Sequence, residues 1–298
     1  MSYVEFWGGA YDEDPSYLRE LERACGNDPR AALRLVAELA VPWLSHGHRA
    51  EAEHAAARVL AELGQVVPDG MADEYLLAVL LAPGSVRPEQ VELAQQLAVE
   101  LRRPFRHPVT VLLWATTFGP FEPPEVVAEI LTTNERDGDA WTRAAVQLCI
   151  GYPGLTGASA AESEQAVRTA LARFRMLGDR WGTLLALTVV ASSGDELDEA
   201  VAIAAELGLD EEHADLLCRR AAVLGRADDY RVALDISTRA GLAELAAVAR
   251  IGLARAARGG GDLSTARRHI ADVLAAYPHD TPARDEALRE LAALDAVQ

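Results

Sequence analysis

Alanines stand at the evenly spaced positions 200, 233 and 266, each just after a short acid-containing turn that opens an apolar helical pattern. The segments are Gly194–Ala200, Ala227–Ala233 and Gly260–Ala266, and one further step back reaches Val167 in the same helical setting. A recurrence in the low thirties with two helical segments per period leaves few folds open. One helical hairpin cannot bury its apolar stripe alone, so successive hairpins must stack. The small residue has a mechanical role there: the second helix presses on the first at that point, and a large side chain would push them apart. Asp195, Asp229 and Asp262 fall at the turns before the second helices. In that position a carboxylate caps free amides or meets the positive end of the helix dipole.

The remaining chain carries the same three- and four-residue apolar spacing. It marks Ala31–Leu44, Ala50–Leu63, Met71–Leu81, Pro88–Leu101, Val109–Phe118, Pro124–Leu131, Ala140–Ile150 and Glu162–Leu177. In the last third it marks Trp181–Ala191, Leu197–Leu207, Glu211–Leu224, Tyr230–Ala240, Leu242–Ala257, Ser264–Ala276 and Thr281–Leu294. Alanine supplies 56 of the 298 residues and aromatics only 6%. Such a chain does not fill a wide sheet interior, whereas small side chains let helices approach closely and alanine is the best helix former. The nearest approach to a strand, Val109–Trp114, sits inside the helical series and reads as a buried helix.

The expected fold is all-α, a tetratricopeptide-like helical-hairpin solenoid forming a right-handed superhelix of about seven hairpins plus a cap. Residues 1–26, with Phe6, Trp7 and Tyr11, form an N-terminal extension. Degenerate helical repeats follow over 27–157, where Trp43–Ala52 repeats the turn-and-alanine pattern but the next comparable position, Ala94, lies well beyond one regular period. Regular repeats occupy 158–280, and a capping helix occupies 281–298 after Pro278. Pro42 is expected to loosen or kink the end of its helix.

Charge excludes several chemistries. Arg plus Lys number 28 against 46 Asp plus Glu, a formal charge of −18, and every one of the 28 bases is arginine. Without lysine the chain has no Walker-type phosphate lysine, no Schiff base and no pyridoxal-phosphate attachment. The acidic balance disfavours direct binding of nucleic acid or an anionic membrane. The longest apolar stretches, such as Pro108–Phe118, are short of the roughly 20 residues that span a bilayer. Three widely spaced cysteines without a CxxC pair, and an opening segment lacking a basic-then-apolar pattern, lead to a cytoplasmic expectation.

Candidate chemistry is sparse. His46, His48 and His54 with Glu51 are the one histidine cluster, but two of them lie in a turn that reads as helix capping, so no metal is expected. Cys149 and Cys218 sit in apolar helices and read as small hydrophobes. The acid groups Asp12/Asp14, Asp137/Asp139, Asp210/Glu211/Glu212 and Asp228/Asp229 fall in turns or first helical turns, where the dipole already favours them. The loop Arg258–Asp262 lacks the strand and lysine of a phosphate-binding loop. No cofactor and no enzymatic activity are expected.

Recognition is what remains. Arg219, Arg226, Arg255 and Arg258 fall on or beside the concave surface of successive C-terminal repeats, where guanidinium forks suit peptide carboxylates. The alternative for Arg219, Arg220 and Arg226 is pairing with acids around Asp215 and Asp228. Trp181 reads either as a packing anchor between repeats or as a recognition aromatic. Two other functions fit the same architecture: a small-molecule receptor with a pocket around Trp43, Trp114, Phe118 and Trp141, and a passive oligomerisation scaffold.

Leu171–Leu187, with its Phe-Arg-x-Leu-Gly-Asp-Arg-Trp-Gly block ending at Gly182, and Gly194–Ala200 carry a family likeness. They resemble the C-terminal tetratricopeptide region of large actinobacterial regulators of the AfsR/SARP type and the related large ATPase LuxR-type regulators. Trp43–His48 is similar to the first repeats after the nucleotide-binding module of those proteins, and Tyr230–Leu234 and Gly252–Gly259 continue the likeness. The resemblance runs from about residue 30 to 295 and is strongest after 165. Ala227 and Asp228 depart from it, replacing the usual turn glycine before Asp229, as do His54 or Ala55 where a bulky aromatic is common. The resemblance implies a non-enzymatic protein-interaction and signal-sensing repeat region of a transcriptional regulator. Its implied partners are a protein or peptide, including the nucleotide-binding and DNA-binding domains of its own full-length regulator, and an oligomer is compatible with it.

Overall fold

The computed structural model describes residue 24 and residues 27–152, 154–279 and 281–296. Cys25, Phe6, Trp7, Tyr11 and the pair Asp12/Asp14 lie outside the described residues. Among the described residues the regular elements are fifteen α-helices and one short 3-10 helix, with no strand. The all-α expectation therefore holds, and Val109–Trp114 is helical. No helix of the described residues is long and apolar enough to cross a membrane.

The helices fall into two compact units, Met1–Val190 and Ala191–Gln298. The first contains α1 (Pro29–Ser45), α2 (Arg49–Leu63), α3 (Ala72–Leu81), α4 (Pro88–Glu100) and α5 (Val109–Thr117). After a 3-10 turn, Gly119–Phe121, come α6 (Pro124–Asp137), α7 (Ala140–Ile150), α8 (Ala160–Leu177) and α9 (Arg180–Val190). The second unit holds α10 (Gly194–Glu206), α11 (Asp210–Leu224), α12 (Ala227–Arg239), α13 (Ala243–Gly259), α14 (Leu263–Ala276) and α15 (Pro282–Asp295).

Within the first unit α1 packs on α3, α3 on α5 and α5 on α7, making a layer against which α2, α4, α6 and α8 lie, and α9 packs on α8. The second unit repeats the plan with α11, α13 and α15 in one layer and α10, α12 and α14 in the other. The glycine-rich segment 151–157 connects α7 to α8 inside the first unit, where those two helices pack directly on each other.

Sequence explains the layer positions. Helix α3 is apolar at most positions after its first turn and is buried on every side from Asp73 to Leu81, as an all-round apolar helix must be. Its two acids are buried only because they are paired. Asp73 accepts from the Arg103 guanidinium at 2.5 and 3.2 Å and from the Arg106 amide at 2.8 Å, while Glu74 accepts from Arg106 at 2.6 Å. Burial alone would raise the Asp73 carboxyl; the hydrogen bonds from Arg103 and Arg106 and their positive charges outweigh it and hold Asp73 below the usual carboxylate value.

In the second unit Ala200, Ala233 and Ala266 are all at 0% exposure. Ala266 packs in a core with Ala247, Ile251 and Ala254 of α13 and Ala287 and Leu294 of α15. The turn acids divide. Asp262 is a true N-cap, accepting the Thr265 amide at 3.0 Å, and that hydrogen bond leads the causes that bring its carboxyl to about 2. Helix α10 is capped instead by Ser193, with Asp195 in its first turn. Asp229 turns inward to meet Arg220 in a two-point bridge at 2.7 and 2.8 Å. Pro42 lies inside α1, which runs on to Ser45, and the Pro42 carbonyl accepts from the Ser45 hydroxyl at 3.3 Å.

Candidate functional site

A cavity of about 250 Å³ opens in the first unit. Helix α5 supplies Val109, Leu112, Leu113, Ala115 and Thr116, and α9 supplies Trp181, Leu185, Thr188 and Val189. Those spacings of three and four residues put each set on one helical face. Leu148 and Cys149 end α7 beneath them, Gly151 and Tyr152 follow, and Leu44 and Arg49 close the wall from α1 and α2. The floor is sealed, with Val109 and Ala115 at 1% exposure, whereas Val189 at 52% and Tyr152 at 44% form an open rim.

The polar groups of the lining are Arg49, the Tyr152 phenol at the rim, two threonine hydroxyls and the Cys149 thiol. The Thr116 hydroxyl donates to the Leu112 and Leu113 carbonyls at 3.1 Å, and Thr188 donates to Leu185 at 2.8 Å, so both hydroxyls are engaged within their own helices. The Cys149 thiol points to the Val111 carbonyl at 3.7 Å, and burial pushes it up to about 12, which keeps it protonated and unreactive. Arg49 is the one charged residue on the wall, it is exposed, and no acid pairs with it among the described residues.

Trp181 is held by an aromatic stack beside the cavity. Its ring lies 6.2 Å from that of Trp141 with 17° between planes, and Trp141 meets Phe174 edge-on at 5.5 Å. The Trp141 indole donates to Asp179 at 2.9 Å, and the Gly182 amide donates to the same carboxylate at 2.5 Å. Burial raises the Asp179 carboxyl despite both hydrogen bonds. The Asp-Arg-Trp-Gly block thus turns α8 into α9 and orients the aromatic that lines the cavity. Trp43, Trp114 and Trp141 are at most 2% exposed and Phe118 is 4% exposed, so all four belong to the packed interior rather than to the cavity wall.

None of the predicted arginines is among the residues that line this cavity. In the second unit Arg219 donates to the Ala191 carbonyl at 3.0 Å, and Arg226 reaches Asp198 at 3.2 Å, an acid that Arg220 also holds. Arg255 and Arg258 converge on the buried Glu290, at 3.3 and 2.6 Å, and Arg255 also bridges to Glu286. Arg255, Glu286, Val248 and Tyr277 line a second cavity of about 240 Å³ between α13 and α15, where the buried Tyr277 hydroxyl has no hydrogen-bond partner among the described residues. The structure thus brings together Arg255 and Arg258 through a shared acid, places Arg219 and Arg226 against α10 and its approach, and leaves Trp181 in the first unit.

The histidine cluster does not converge. His46 contacts the Ser45 hydroxyl and the Pro42 carbonyl, both at 3.0 Å, His48 faces Glu51 at 3.8 Å, and His54 is exposed. Among the described residues no group of three or more His, Cys, Asp or Glu side chains is placed to hold a metal ion. Sequence reasoning missed Arg49, Tyr152 and Val189. The only signal for Arg49 was its place in the Trp43–Ala52 turn, where the neighbouring histidines are chemically the more conspicuous residues. Comparison with models of known protein families finds no match to this chain, and comparison with curated proteins finds none.

Proposed function

We propose that the chain is a non-catalytic recognition module, a tetratricopeptide-like stack of helical hairpins in a right-handed superhelix, acting in the cytoplasm as the protein-interaction and signal-sensing region of a transcriptional regulator. One observation carries this reading: alternate helices form a layer in each unit, and in the second unit the evenly spaced alanines are at zero exposure, with Ala266 packed against α13 and α15 of the facing layer. Stacked pairs of this kind present one layer as an extended binding face. The buried ionisable groups support a non-enzymatic role, since Asp73, Glu74, Asp229 and Glu290 are each engaged by arginines and Cys149 and Cys218 are both pushed up to about 12.

Site-specific photocrosslinking from position 248, on the exposed part of α13, tests the interaction reading, with position 58 on α2 as the control. Crosslinks from 248 to a regulator's nucleotide- or DNA-binding domains are the expected result. Equal labelling from both positions, or none to such a protein, overturns it. A second reading, a small-molecule receptor, is favoured by the cavity beneath Trp181 with its sealed apolar floor and open rim.

A further inference from the structure

We propose that the cavity between α5, α7 and α9 takes a small amphiphilic monocarboxylate, its tail among Leu112, Leu113, Leu185 and Val189 and its carboxylate at Arg49. The proposal rests on the receptor reading and adds the chemical class of ligand.

Size comes first. At the roughly 30 Å³ a water molecule occupies in the liquid, about 250 Å³ holds on the order of eight small heavy groups. An eight-carbon chain fills that space and leaves its head group at the mouth. The wall offers that chain aliphatic and aromatic contact, because both threonine hydroxyls are engaged in their own helices and the thiol is bonded to a backbone carbonyl. A polar occupant would lose its hydrogen bonds to water and regain few from such a lining.

Charge then selects the head group. The wall contains one guanidinium and no carboxylate, so an ammonium head has nothing to pair with, and an uncharged head gains less than an anion. Arg49 is the first residue of α2, and His48 before it caps none of the first amides, so the positive end of a 15-residue helix adds to the same field. Glu51 in that turn faces His48 at 3.8 Å. The chain's overall charge of −18 disfavours multiply charged anions such as phosphates, whereas a single carboxylate meets one local cation at modest long-range cost.

The experiment titrates the full chain with octanoate, 1-octanol and octylammonium by calorimetry, with Trp181 emission as a second readout. Octanoate is expected to bind at one site several-fold more tightly than octanol, with octylammonium weakest. R49A is expected to weaken octanoate about three- to tenfold and leave octanol unchanged. R49K should restore part of the loss. Arg49 is exposed, so thermal melting of R49A should match the wild type and separate lost binding from lost folding. V189W, which plugs the rim, is expected to block octanoate and octanol alike. Octanol binding as tightly as octanoate, or R49A leaving octanoate unchanged, overturns the carboxylate proposal while the receptor reading stands. If none of the probes binds, or V189W changes nothing, both fail.

Discussion

Replacing Gly182 with alanine tests whether the aromatic support of the cavity is as tightly packed as its geometry indicates. A Cβ at position 182 would sit 2.3 Å from Phe174 Cδ1, 2.5 Å from Cε1 and 2.7 Å from Cγ. Carbon atoms in contact prefer about 3.5–4.0 Å, so the ring must retreat by roughly 1 Å or more. Phe174 is fully buried and its ring is braced edge-on against Trp141, so retreat means repacking the stack that holds Trp181. Overpacking of this kind costs about 1–3 kcal/mol. Against it stands the helix preference of alanine over glycine, at most about 1 kcal/mol in a helix interior. Gly182 is the third residue of α9, where that gain is smaller. The difference is an expected net loss of about 1–2 kcal/mol, read from denaturant unfolding followed by tryptophan emission.

F174L supplies the diagnostic partner. It removes the ring edge that the new methyl meets, so G182A should cost at least about 1 kcal/mol less in the F174L background than in the wild type. Gly252 provides a graded comparison. A Cβ there would lie 2.3 Å from the Tyr230 ring, but Tyr230 is only half-buried and can turn toward solvent, so G252A should be much milder. G182A as stable as the wild type, or no coupling to F174L, would refute the argument that this close approach is rigid.

Ala233→Leu adds three carbons at a position with 0% exposure and should destabilise the second unit by about 1–3 kcal/mol, visible as faster hydrogen exchange in α11–α13. Asp73 has its folded value lowered, so its contribution is present above the ordinary aspartate value near 3.8 and is lost as pH falls through the folded value. D73N should therefore cost about 1–2 kcal/mol at pH 7, and its urea midpoint should converge on the wild type as pH drops below 3.8. Glu290 is the shared partner of Arg255 and Arg258, so E290A should lower the melting midpoint while strengthening binding of an acidic peptide to the α13–α15 face, measured by anisotropy. Iodoacetamide at pH 8 should leave Cys149 and Cys218 unmodified in the native protein and label both in denaturant, as peptide mass mapping would show.

The helices were legible because their signal is local. Apolar spacing located α5 within an ambiguous run of Val, Leu and Trp, and the alanine period located the buried contacts of α10, α12 and α14. Capping was legible only in part. Ser193 and Asp262 both satisfy amides three residues on, but Asp229 found a stronger partner in Arg220, a contact no helix-start rule contains. Of the arginines, Arg220 was legible, since Asp229 adjoins the Asp228 named among its candidate partners, whereas Arg255 and Arg258 were not, for a related reason. Arg255 and Arg258 meet Glu290 at separations of 35 and 32 residues, and Arg103 meets Asp73 at 30, about one hairpin pair away. Which acid a guanidinium meets across that interval depends on the stagger between neighbouring hairpins, which composition and within-helix spacing do not determine.

The cavity follows the same logic from the opposite side. In the second unit the alanine register repeats, α11 and α13 run 15 and 17 residues, and the cavity of about 240 Å³ lies where α13 meets the last helix, α15, beyond the final alanine of the period. In the first unit the interval from Ala52 to Ala94 stretches beyond that regular period. There α3, α5, α7 and α9 run only 10, 9, 11 and 11 residues. At 1.5 Å of rise per residue each of these is roughly 6–12 Å shorter than its counterparts. Shorter helices cover less of their neighbours' apolar length, and the uncovered faces of α5 and α9 are the ones that line the cavity. Binding capacity in this chain is therefore expected where the repeat is least regular. Lengthening α5 toward the regular repeat should trade ligand affinity for stability.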